Sequence, residues 1–197
     1  MNLADMRARV REDLQDTDDA NYRWSNDEVD GAIERVVREF SRAYPIQQQD
    51  EITTTEDDKE LDISGLSSLL KIASVEYPMD LTPPYMQRLD FWNDKLYMQD
   101  EGDGTKKARV RWYKSHTLDA ESSTIPTEHE EIIVMGAAGY LAMSASAYTI
   151  DKASIGGRYT SPDFLKWGRE RLSTYNNNLK AIARSNRVIT REFYSEE

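Results

Sequence analysis

The chain has 197 residues, no cysteine and a formal net charge of -11. One domain with room for an insertion is the natural size class, and the missing thiols exclude disulfides, thiol catalysis and Cys-ligated metals. The acidic balance disfavours a general binder of nucleic acid or anionic membrane, and 11 tyrosines with 4 tryptophans are too many for a disordered chain.

The opening MNLADMRARV carries charge where a signal peptide would be apolar, so no leader is expected. Leu3, Met6, Val10 and Leu14 recur at spacings of three and four, which predicts a charged helix with a narrow apolar stripe. QDTDDANYR then breaks the pattern with turn-favouring Asp and Asn. Ser25 and Glu28 form a capping-box pattern, and Val29, Ile33, Val36, Val37, Phe40 and Tyr44 hold helical period until Pro45 stops it. This helical hairpin is the clearest local structure in the sequence.

From Gln47 to about Ser123 the period becomes alternating. EITTT, KELDI, LLKIASVEY, DKLYMQ and ARVRWYK read as strands, with EDDK (56–59) and EGDG (101–104) as hairpin turns. In the last strand Ala108, Val110 and Trp112 share one face, and Arg109, Arg111 and Tyr113 the other. Pro78, Pro83 and Pro84 mark an irregular connection. Trp112 with Arg109 and Arg111 could stack on a single-stranded nucleic acid; cross-strand salt bridges are the competing role.

Between Ile132 and Ile150 no residue is charged, and Gly, Ala and Ser recur throughout. That run meets the length criterion for a membrane span, but its small residues and acidic flank (Glu128, Glu130, Glu131) favour a buried central helix with Pro126 fixing its start. Ser161-Pro162-Asp163 then opens a last helix, in which Phe164, Leu165, Gly168, Leu172, Tyr175, Leu179 and Ile182 form a near-heptad seam. Residues 186–197 look extended, with Arg187, Val188, Ile189, Arg191, Phe193 and Tyr194 as candidates for docking onto another sheet; folding back on the same chain is the alternative. The basic run from Lys180 to Arg191 suits either a solvated helix end or a docking cation.

No catalytic pattern emerges. His116 and His129 stand apart, and His129 in EHEE lacks a second nitrogen at helical spacing. A calcium loop counted from Asp100 would need Glu at its twelfth position, where Arg111 stands. Neither a P-loop nor GxSxG occurs. No enzyme activity, metal or cofactor is expected.

The order of elements, and two stretches in particular, resemble the head–tail connector (adaptor) proteins of long-tailed bacteriophages. One stretch is LADMRARVREDLQD with YRWSNDEVDGAIERVVREF, including Trp24; the other is VRWYKSHTLDAESSTIPTEHEEIIVMGAAGYLA, including Ile125, Pro126, His129, Gly136 and Ala137. The resemblance implies a structural virion protein. It would form a ring, commonly of twelve copies, beneath the portal protein of the capsid, receive the next neck, stopper or tail protein on its far face, and let DNA pass through its lumen without sequence-specific binding. The C-terminal segment would reach the portal. Such a protein waits in the host cytoplasm and ends in the virion neck, with no membrane involved. Another neck or tail-completion (stopper) component is the alternative reading. The expected architecture is α+β: a four-helix bundle from 1–46 and 125–185, a small antiparallel sheet inserted at 47–124, and an extended docking tail at 186–197. Trp24, Ile33, Val37, Pro126, Gly136 and Leu172 are the candidates for core and ring packing.

Overall fold

The computed structural model describes residues 1–92, 95–148 and 161–186. It contains helices α1 (Leu3–Asp13), α2 (Asn26–Ala43), α3 (Glu130–Tyr148) and α4 (Ser161–Ser185). Six strands lie between α2 and α3: β1 (Ile46–Thr53), β2 (Glu60–Leu61), β3 (Leu69–Glu76), β4 (Leu89–Trp92), β5 (Lys95–Met98) and β6 (Lys107–Lys114). The chain divides into two compact units: Met1–Tyr44 with His116–Glu197, and Pro45–Ser115.

Local chemistry sets the helix starts. The Ser25 hydroxyl accepts the Glu28 N–H at 3.2 Å and the Glu28 carboxylate accepts the Ser25 N–H at 2.8 Å, so two donors that α2 could not satisfy internally are paired. Asn2 and Asp5 repeat the device on α1. Val29, Ile33, Val36, Val37 and Phe40 then form a fully or almost fully buried stripe on α2.

The first unit is organised on α3. Ile133, Val134, Ala137, Ala138, Leu141 and Ala142 of α3 share one core with Met6 and Val10 of α1, the α2 stripe and Tyr175 of α4. The small residues let neighbours come close. A Cβ at Gly136 would lie 3.0 Å from both the Tyr175 ring and Val36 Cγ1, and one at Gly139 would lie 2.9 Å from Leu172 Cγ. Across the same contact, a Cβ at Gly168 would come within 3.1 Å of the Ala142 methyl.

This arrangement corrects the expectation of a four-helix bundle. Among the described residues α1, α2 and α4 each pack on α3, while α1 and α4 share no extended face. A bundle needs four seams around a common axis; here three helices converge on one. The near-heptad spacing on α4 reports a single seam, and most of the helix is exposed or half-buried.

The second unit corrects the expectation of one inserted sheet. It holds two three-stranded antiparallel sheets, ordered β1-β6-β3 and β2-β5-β4. EDDK and EGDG do not close hairpins: each connects a strand of one sheet to a strand of the other. The two connections are instead tied together, with Gly102 N–H donating to the Asp58 carbonyl at 2.7 Å and Asp57 N–H to the Gly102 carbonyl at 3.0 Å. A Cβ on Gly102 would meet the Thr55 carbonyl oxygen at 2.3 Å, so only glycine allows this approach. Both sheets contribute to one core of Leu61, Ile63, Val75, Tyr77, Leu96, Met98, Ala108, Val110 and Trp112.

Three side chains tie the helices of the first unit. The Glu39 carboxylate on α2 accepts hydrogen bonds of 3.0 Å from the hydroxyls of Tyr140 on α3 and Tyr175 on α4. Arg35 pairs with Glu39 at 3.2 Å and stacks 3.8 Å over the Tyr140 ring. Burial, reinforced by the Glu39 charge, holds both phenols above their usual range.

Two predictions follow from this packing. Gly136→Val should destabilise the unit by about 1–3 kcal/mol through overpacking against Tyr175, read by urea denaturation. Unfolded tyrosine ionises near pH ~10, where the folded phenols still hold their protons, so stability present below that pH is lost as it rises further. Tyr175→Phe should cost about 1 kcal/mol at neutral pH and flatten the alkaline loss, measured as the slope of unfolding free energy between about pH 9 and 11.

Candidate assembly surfaces

The residues singled out for core and ring packing all lie in the first unit, in or beside its core. Trp24 is 4% exposed, and its ring meets Phe164 edge-on at a centroid distance of 6.3 Å. Ile33 and Val37 lie on the buried stripe of α2. Pro126 caps the 3-10 turn Thr127–His129 that leads into α3. Gly136 underlies Tyr175, and Leu172 packs on Gly139. These side chains shape the unit rather than present a surface. The docking candidates Arg187, Val188, Ile189, Arg191, Phe193 and Tyr194 lie outside the described residues.

The loop between α1 and α2 is locked by a buried ion pair. Arg11 donates to Asp16 at 2.6 Å, to the Trp24 carbonyl at 2.9 Å and to Asn26 at 3.0 Å, while Asp16 also accepts the Arg23 N–H at 2.8 Å. Beside this loop opens a cavity of about 710 Å³, whose walls include Asp13, Asp16, Asp18, Trp24, Phe164 and Trp167. Its charges already have partners on this chain. Asp16 is held by Arg11, and Asp13 pairs with Arg171. Arg23 covers the Phe164 ring at 4.6 Å. Burial pushes the Asp13 carboxyl up, against the pull of Arg171. The cavity therefore offers aromatic walls and carboxylates engaged by Arg11 and Arg171, with Asp13 Oδ2 buried and without a hydrogen-bond partner.

The structure brings together the two histidines that the sequence keeps apart. His116 and His129 both pack on Phe40, at centroid distances of 5.2 and 5.4 Å, and on Tyr44, at 6.1 and 5.0 Å. The His116 ring nitrogens lie 2.9 Å from the Thr124 carbonyl and 2.8 Å from the Tyr44 carbonyl, and the His116 backbone N–H donates to the Ser41 hydroxyl at 2.9 Å. Among the described residues the partners of His116 are the Tyr44 and Thr124 carbonyls and the Ser41 and Thr124 hydroxyls. The cluster fastens the end of α2 to the segment leading into α3. Among the described residues no group of His, Cys, Asp or Glu could hold a metal ion, and no helix is long and apolar enough to cross a membrane.

Among the described residues most exposed large apolar side chains lie on the second unit, with Tyr22 at 42% on the first. Leu81, Tyr85, Met86, Phe91 and Trp92 are all more than 40% exposed, Trp92 at 75%. Phe91 and Trp92 belong to β4, which the sequence reading assigned to no element between the strands LLKIASVEY and DKLYMQ. The adjacent aromatics in LDFW carried the missing signal: successive strand residues point to opposite faces, so at most one of the pair can join a single core. On β6 the alternation is as the sequence indicates, with Ala108, Val110 and Trp112 buried. Arg109 pairs with Glu76 at 2.9 Å and Asp80 at 3.0 Å, so cross-strand salt bridges employ the basic face.

β1 is one edge of its sheet, eight residues long like β3 at the other edge. Among the described residues β1 pairs only with β6, over eight residues without a bulge, and Gln47 to Glu51 are exposed in succession. Half of its backbone donors and acceptors point away from the sheet, as in any edge strand.

Replacing Arg11 with Met leaves Asp16 buried without its partner and should cost about 3–5 kcal/mol, measured by urea unfolding with tryptophan fluorescence reporting on Trp24. No protein-family model matches the chain, and no curated protein is similar to it in sequence.

Proposed function

We propose that the chain is a structural virion component, a head-to-tail adaptor that forms a ring beneath the portal and carries the DNA channel toward the neck and tail. The observation that supports it is where the two resembling stretches fall. Trp24 and the α2 stripe come from the first, Ile125, Gly136 and Ala137 from the second, and all pack within one helical unit. Residues 45–115, which contribute little to the resemblance, form the other unit. The chemistry is consistent with an assembly role. Buried polar groups in the helical unit are spent on fastening helices, and the exposed aromatics and free strand edge sit where a partner can reach them.

The net charge of -11 suits a ring through which DNA slides, because like charge opposes adhesion of phosphates to the wall. The ring's partners are other copies of itself, the portal on one side and a stopper or tail protein on the other. A different neck or tail-completion component is the second reading, favoured by the same exposed surfaces.

Mixing the protein with purified portal separates the two. The adaptor reading expects a stoichiometric ring on the portal, visible by electron microscopy and stable through gel filtration. Association only with a preformed portal–adaptor complex would assign the chain to the next position in the neck.

A further inference from the structure

The segment from Tyr85 to Trp92 borders both sheets of the second unit. Its first part lies along β3, where the Tyr77 N–H donates to the Tyr85 carbonyl at 3.1 Å and the Gln87 N–H to the Val75 carbonyl at 2.8 Å. Its second part is β4, the terminal strand in the order β2-β5-β4. Burial alternates along it. Gln87 is buried and Leu89 packs against the core that the sheets share, whereas Met86, Arg88, Asp90 and Trp92 are exposed. Alternate residues of an extended chain leave on the same side. These four therefore form one outward row, which reads apolar, cationic, anionic, apolar.

The ends of the row lie in solvent, with Met86 at 42% and Trp92 at 75% exposure, and tryptophan is among the side chains that contribute most when buried at a protein contact. The two central charges are spare. Among the described residues no ion pair engages Arg88 or Asp90, whereas neighbouring Lys95 is held by Glu60 at 2.8 Å and Arg109 by Glu76 at 2.9 Å. The order of the row is its own complement. A second row, given a half-turn about an axis at Leu89, lays Arg88 against Asp90 in both directions and Met86 against Trp92 in both directions. Moving the axis to Arg88 or to Asp90 would oppose like charges at the centre, which is costly, so the pattern selects one alignment. We propose that the free protein pairs with a second copy of itself through this row, in this antiparallel alignment. A twofold contact uses the same patch on both copies and closes at two. It is therefore separate from the heterologous contacts of the proposed ring and does not rest on that reading.

Because the contact is symmetric, charge reversal tests it within one chain. Sedimentation velocity of the full-length protein over about 1–200 µM should show a concentration-dependent equilibrium of monomer and dimer, as a small interface gives. Arg88→Asp sets carboxylate against carboxylate at two places, and Asp90→Arg sets guanidinium against guanidinium. Each should weaken the dimer at least about tenfold. The double variant, Arg88→Asp with Asp90→Arg, restores opposite charges in both pairs and should bring the dissociation constant back to within about threefold of the parent. Trp92→Ser leaves the charges alone and should weaken the dimer by a similar factor. Circular dichroism and urea unfolding check that each variant keeps its fold before its association is compared. If a reversal disturbs the sheet unit, Trp92→Ser decides by itself. A monomer at every concentration overturns the proposal. So does a dimer that any of the three single substitutions leaves as tight as the parent, or one that the double reversal leaves weak. Each of those results leaves the adaptor reading standing, since ring formation on the portal is measured apart from it.

Discussion

The first unit depends on a carboxylate shared among three helices. Glu39 on α2 is the common acceptor for Tyr140 on α3 and Tyr175 on α4, and Arg35 pairs with it at 3.2 Å. Charge-assisted hydrogen bonds of this kind are stronger than neutral ones. They also fix azimuth: each phenol reaches Glu39 only if its helix presents one particular face. Gly136 makes the arrangement possible, since any larger side chain would displace the Tyr175 ring. Small residues on α3 thus do more than fill space. They set how close α2 and α4 come, and hence whether the polar tie can form.

Around that tie, polar groups inside the first unit serve attachment. Arg11 and Asp16 lock the α1–α2 loop, Ser41 and His116 fasten the end of α2, and Arg171 reaches Asp13 from α4. Each removes a donor or acceptor that would otherwise be buried unpaired, at a cost of about 1–3 kcal/mol. The sheet unit is different in kind. Its apolar core is shared by two short sheets, and short sheets leave edges and tips uncovered. A free β1 and an exposed Phe91-Trp92 tip are what such an architecture offers to partners.

Reading the sequence succeeded where the physics is local. The Ser25–Glu28 cap, the α2 stripe and the alternation of β6 each need only a few neighbouring residues to be satisfied, and each stands in the fold as its spacing indicates. It failed where the partner is distant. Nothing within EDDK or EGDG tells whether the next strand returns to the same sheet, because a turn specifies direction and not destination. The seam on α4 likewise specifies a packing face without specifying how many helices surround it. β4 escaped notice because four residues are too few to establish a period, and two of them are aromatics left in solvent. Among the candidate residues, Ile33 and Val37 were legible as interior positions from periodicity and Gly136 from its uncharged run of small residues, whereas Trp24 was singled out only by the family resemblance. The convergence of His116 and His129 on Phe40 and Tyr44 was not, since their separation in sequence carries no trace of it.

By itself, then, the sequence determined the composition class, the helix starts and stops, the faces that must be buried and the absence of thiol chemistry. Those properties follow from side-chain chemistry and short-range sterics. Among the described residues, tertiary structure decided that the helices converge on α3, that six strands sort into two sheets, and that β1 lies at the edge of one of them. Those outcomes depend on which distant surfaces lose the most water when brought together, a choice made by the whole chain at once.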